Sequence, residues 1–176
     1  VYEETNFMKK LFVILLLLLL SKVFLAQGII HTDTLFVTGK VKAEWSFPIS
    51  AIKEYKSDLL GDVNTSCSAK QREDSKGVKG VLVKTLLDTV EFDYENRKML
   101  NEFYFKFEAV DGYTVVYSFN EIYNTETGNH LYIVTEMNGK EMDEIENRIL
   151  LLTMNDIKSG NRNIKGLKRI VVCRAE

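Results

Sequence analysis

Between Phe103 and Phe119 apolar and polar residues alternate almost without a break, and the one interruption is Asp111-Gly112. Phe103, Phe105, Phe107 and Ala109 fall on one face of an extended chain, with Tyr104, Lys106 and Glu108 on the other. Asp-Gly supplies the positive dihedrals of a two-residue turn, and Tyr113, Val115, Tyr117 and Phe119 carry the apolar face back. This pattern commits the middle of the chain to an antiparallel hairpin with one buried face. The turn also accounts for Asp111-Gly112-Tyr113 as local chemistry, with Tyr113 expected to pack beside Tyr117.

Other elements follow from the same two periodicities. Thr34 to Val41 is β-branched and aromatic and reads as an opening strand. Ile49, Ile52, Tyr55 and Leu59 recur at helical spacing after Pro48, which predicts a helix from about Pro48 to Leu60. Gly61 would end it, with Asp62 to Ser68 extended and Lys70 to Lys79 a solvated loop or twisted edge. Val81, Leu82, Leu86, Leu87 and Val90 form a stripe that predicts a helix over 80–90. Asn120 to Asn124 reads as a helical turn in which Glu121 is a helix-start acid. Leu131 to Thr135 is a strand, Asn138-Gly139 a tight turn, Ile149 to Met154 a buried strand and Leu167 to Arg174 a final strand. Strands outnumber helices and do not alternate regularly with them. That order predicts a mixed α+β domain rather than a doubly wound sheet.

The amino-terminal part is of another kind. Met8-Lys9-Lys10 precedes an unbroken apolar run from Leu11 to Leu20, and Ala26-Gln27-Gly28 offers small residues at a cleavage position. Residues 1–28 therefore read as a secretory signal, with Val1 to Phe7 an upstream extension, and residues 29–176 as one exported, periplasmic or secreted domain. Cleavage after Gly28 or after Ala26 fits, and an uncleaved anchor over Leu11 to Ala26 is the alternative. A formal net charge of −2 gives no electrostatic case for nucleic-acid binding. The 45% hydrophobic and 27% charged content is that of a globular chain. No serine triad, Walker loop or zinc spacing is present. Trp45 and Phe47 read as aromatics at the edge of the core.

Two features carry chemistry. The loop Ser159-Gly160-Asn161-Arg162-Asn163-Ile164-Lys165-Gly166-Leu167 sets two cations three residues apart between glycines. Such a loop suits a bound phosphate or pyrophosphate, and a plain solvated turn is the alternative. The two cysteines, Cys67 and Cys173, admit a disulfide in an oxidising compartment.

Read in order, several short motifs resemble the molybdopterin-binding domain of the sulfite oxidase family. They are Gly80-Val81-Leu82-Val83-Lys84-Thr85-Leu86-Leu87, Asp111-Gly112-Tyr113 with Ser118 and Glu121, Met137-Asn138-Gly139, the strand at 149–154, and Gly160-x-Arg162-x-Ile164-Lys165-x-Leu167. They cover residues of about 78 to 172, and 34–77 match loosely. The resemblance implies that fold, with molybdenum held by the pterin's dithiolene sulfurs and one cysteine thiolate. Cys67 is the implied metal ligand and catalytic residue, and Gly160, Arg162 and Lys165 the implied cofactor-binding residues. A structural thiol or a Cys67–Cys173 disulfide is the competing role for Cys67. The family's usual surroundings of that cysteine differ here, where the chain reads Thr65-Ser66-Cys67-Ser68-Ala69-Lys70. Val78 replaces a tryptophan, and Glu146-Asn147-Arg148-Ile149 stands where the family has a His-Gly-x-Pro-Leu-Arg element. Neither His31 nor His130 lies near that element in sequence. Two functions follow as expectations. One is a molybdopterin-dependent oxidoreductase acting on a small substrate. The other is a cofactor-free relative serving as a periplasmic or cell-surface binding module.

Overall fold

The computed structural model of this chain describes residues 32–64, 74–157 and 160–175. The expectations for the leader, Cys67 and Ser159 lie outside the described residues. Five strands form a first sheet: β1 (Thr34–Gly39), β2 (Trp45–Pro48), β5 (Phe103–Ala109), β6 (Thr114–Ser118) and β11 (Leu167–Arg174). Their order is β2-β1-β11-β5-β6, with β1 parallel to β11 and the other pairs antiparallel. A second sheet runs β10 (Ile164–Lys165), β9 (Leu150–Thr153), β7 (Leu131–Met137), β4 (Asp74–Leu82), β3 (Asp58–Asn64), and β8 (Lys140–Glu141) pairs with β7. Short helices connect them: α1 (Ile49–Lys53), α2 (Val83–Leu87), α3 (Phe119–Tyr123) and α4 (Glu126–Asn129), with a 3₁₀ turn over Arg97–Glu102. The expected α+β class is the one observed. Among the described residues no helix is long and apolar enough to cross a membrane.

One apolar core draws on both sheets. Leu35 and Val37 of β1, Phe103, Phe105 and Phe107 of β5, and Ile170 and Val172 of β11 meet Val81, Ile133 and Leu151 from the second sheet. Strand β9 is apolar from Leu150 to Leu152 because it is buried on both faces. Leu151 enters the main core, whereas Leu150 and Leu152 join Val78, Val134 and Ile145 in a smaller cluster on the far side. Period-two alternation is lost wherever a strand has no wet face.

Three expectations are corrected. The helix over 48–60 stops at Lys53, and Asp58–Asn64 is a strand on the edge of the second sheet. Leu59 is 72% exposed, so its place in an apparent apolar stripe was accidental. Residues 74–79, read as part of a solvated loop or a twisted edge, pair with β3 as part of β4, which lies between β7 and β3 in the second sheet. The helix over 80–90 is split: the chain is extended through Leu82 and helical only from Val83 to Leu87. Val81 on the strand and Leu86 on the helix bury into the same core, so two elements share one stripe.

The Asp111-Gly112 hairpin forms, but its loop has three residues. Gly112 N donates to Ala109 O (3.2 Å) and Ala109 N to Tyr113 O (2.9 Å). Gly112, at φ 89°, is the glycine in the loop with positive φ; Asp111 instead accepts from Tyr113 N through Oδ1 (2.9 Å). That is a type I turn closed by a left-handed glycine, the usual three-residue solution. Asn138-Gly139 does form the two-residue turn, with φ of 56° and 72° and Met137 paired to Lys140. Cys173, on β11, is half-buried and carries a free thiol.

Candidate functional site

Hairpin β5–β6, helix α3 and the chain after β9 meet at one end of the fold. Strand β6 leads straight into α3, whose amino end is closed by a capping box. Ser118 N donates to Glu121 Oε2 (2.8 Å) and Glu121 N to Ser118 Oγ (3.1 Å). Glu121 is thus the helix-start acid expected. Its other oxygen, Oε1, accepts from Arg162 Nη1 at 3.0 Å.

Arg162 is held from three sides. Nε donates to Asp156 Oδ2 at 2.9 Å and Nη2 to Asp156 Oδ1, a two-pronged match of guanidinium to carboxylate. Its Cζ lies 4.6 Å from the centre of the Tyr117 ring, a cation–π contact. The Asp156 side chain is 14% exposed and that of Arg162 26%. The paired carboxylate, more than any other neighbour, raises the guanidinium above its already high ordinary range, so it stays charged. Beneath it, Tyr117 Oη and Thr153 Oγ1 are 2.6 Å apart, and Thr153 N donates to Asn163 Oδ1 (3.0 Å). Tyr113 is 47% exposed rather than packed beside Tyr117, and its hydroxyl donates to Asn161 O at 2.6 Å.

Gly160 and Lys165 point elsewhere. Together with Asp111, Tyr113, Asn161 and Asn163 they line an open cavity of about 390 Å³. Gly160 adopts φ 94°, which bends the chain there. Lys165 is exposed and also borders a second cavity of about 610 Å³, shared with Asp74, Asn138, Lys140, Glu146 and Asn147. Asp74 is the first described residue after the segment that carries Cys67. Glu146 and Asn147 occupy the place of the absent histidine element. Gly160 and Lys165 therefore share one hollow, and Lys165 extends into another, while Arg162 lines neither. Arg148, the other arginine near that element, pairs with Asp33. His130 Nδ1 donates to the backbone oxygen Glu126 O (2.8 Å).

Asp156, Thr153 and Tyr117 did not stand out as polar partners in the sequence. Asp156 and Arg162 are six residues apart in an irregular loop, and no periodicity pairs such positions. The closest signal is the run Gly160-Asn161-Arg162-Asn163, whose second asparagine is buried to satisfy the Thr153 amide.

Burial pushes the Tyr117 hydroxyl up to about 12, against the opposing hydrogen bond with Thr153. Burial, followed by the neighbouring Asp88 carboxylate, also raises Tyr123. The folded chain holds these protons more tightly than the unfolded one. Stability is therefore full below about pH 10 and is lost as the pH rises from about 10 towards 12. The part owed to Tyr117 is on the order of 2 kcal/mol. Urea unfolding of the native chain and of Tyr117→Phe at rising alkaline pH measures this. The variant should lose stability less steeply, and an identical slope would discount the burial of Tyr117 as its cause.

No family model matches this sequence, and no curated protein matches it. Among solved structures, the sulfane dehydrogenase SoxCD from Paracoccus pantotrophus is similar, with a TM-score of 0.57 at 12% sequence identity. The likeness covers 82% of this chain but 40% of that one, so the present chain spans less than half of its length. At this identity what is shared is the fold: a mixed α+β domain of the kind expected from the sulfite oxidase resemblance.

Proposed function

We propose that this chain is an exported binding domain that keeps the scaffold of a redox enzyme and works without a cofactor. The hollows around Lys165 would take a small polar ligand, with Gly160 allowing close backbone approach and Asn138, Asn147 and Asn161 offering hydrogen bonds. The observation that carries this reading is the state of Arg162. A pterin phosphate would need its fork, and both edges of that fork already face carboxylates. Arg148 is likewise paired, with Asp33. Lys165 alone is left to meet a phosphate among the residues implied for that role and described here, so these residues do not fit the group.

The second reading is a molybdopterin-dependent oxidoreductase with Cys67 as metal ligand. The fold likeness to a sulfane dehydrogenase favours it. So does the cavity lined by both Lys165 and Asp74, the latter seven residues after Cys67 in the sequence. Expression of the mature chain in a host that makes molybdopterin, followed by assay of bound molybdenum and pterin, separates the two. Trace metal in both native protein and Cys67→Ser supports the binding domain. Stoichiometric molybdenum that disappears in Cys67→Ser would establish the enzyme instead. Amino-terminal sequencing of exported material should begin at Ile29 or Gln27; an intact leader held in the membrane would overturn export.

A further inference from the structure

Arg162 presents a planar fork in a loop between two glycines, half-buried over an aromatic ring. Guanidinium forks of this kind take planar carboxylates or phosphates in two-pronged fashion. Here the oxyanion is supplied by the chain itself. We propose that the Nε/Nη2 edge of Arg162 is an anion site filled by Asp156, an internal ligand that closes it to free oxyanions. This goes beyond the cofactor-free reading, since it says what occupies the fork and what would bind on its removal.

Three observations carry the inference. Both oxygens of Asp156 engage the same edge of the guanidinium, in the geometry of a bound carboxylate. Asp156 is 14% exposed, so its carboxylate is largely withdrawn from water and oriented by that one partner. Glu121 meets the opposite nitrogen, Nη1, and its second oxygen is committed to capping α3, so it does not compete for the Asp156 edge. A carboxylate tethered six residues away acts at an effective concentration of roughly millimolar or more. Free anions at ordinary levels are then excluded from the native site.

Thermal unfolding of the full mature chain tests this, with inorganic phosphate, formate, or chloride at matched ionic strength. The variants are Asp156→Ala and the double variant Asp156→Ala with Arg162→Met. Phosphate, and formate more weakly, should raise the midpoint of Asp156→Ala by about 3 °C or more over chloride at saturation. The native chain and the double variant should respond to all three salts alike. If Asp156→Ala does not fold in chloride, refolding yield becomes the readout, and recovery in phosphate or formate alone carries the same meaning. Equal behaviour of Asp156→Ala in the three salts, or equal gains in the double variant, would overturn the proposal. Neither result bears on molybdenum content, so the cofactor-free reading stands or falls separately.

Discussion

Gly128→Ala should be the most damaging single substitution in the described part of this protein. Gly128 is buried in α4, and a Cβ there would stand 1.6 Å from Ile122 O and 2.5 Å from Ile122 C. Both atoms belong to the backbone of α3, which cannot rotate aside as a side chain could. Separating the helices would also break the Thr125 Oγ1 bond to Glu121 O (2.8 Å), which joins α3 to the cap of α4. A cost of about 4 kcal/mol or more is expected, lowering the thermal midpoint by about 10 °C. Gly112→Ala provides the contrast. Its φ of 89° is foreign to alanine, whereas Gly128 has no such φ, yet nothing lies within 4 Å of the added carbon at Gly112. That change should cost about 1–2 kcal/mol, from backbone strain alone. Thermal unfolding of the two variants decides the point, and similar losses would refute the steric account.

Removing the arginine fork should come next in size. Arg162→Met leaves the Asp156 and Glu121 carboxylates facing one another's side of an emptied site, and it removes the cation over Tyr117. Breaking one partner of a mostly buried pair is costly because the remaining charge has lost its solvation. With Arg162 26% exposed, about 2–3 kcal/mol is expected. Arg162→Lys should recover little, since an ammonium cannot meet both oxygens of Asp156 in a plane. A double-mutant cycle between Arg162 and Asp156 by chemical denaturation should give a coupling of at least about 1 kcal/mol. Additive losses would mean that the two side chains act independently despite their geometry.

Much of the architecture could be read from residue order because its strands have clear local signals. The β5 face is written in Phe103, Phe105 and Phe107, and all three are buried. Strand β11 was expected at Leu167 to Arg174 and is found there. The Asn138-Gly139 turn needed positive φ at two consecutive positions, which that pair tolerates well. Legibility failed where an apolar period was shared or accidental. Leu59 completes a helical spacing with Ile52 and Tyr55 but lies on an exposed strand edge. Val81 and Leu86 share a stripe although one is extended and the other helical. The loop around Arg162 was recognisable as a place for oxyanions. Its internal carboxylate was not, because Asp156 approaches through an irregular turn.

The sequence by itself determined which segments must hide their apolar faces, and hence a mixed α+β domain built about one long hairpin. Only the tertiary structure decided how the two cations of the basic loop are used. Ile164 and Lys165 pair with β9, which leaves the lysine facing open hollows, whereas Arg162 turns inward over Tyr117. Hydrophobic periodicity is a local property and survives in a one-dimensional reading. The fate of a charge depends on which carboxylates the fold brings to it, and that distance is set by packing between elements remote in the chain.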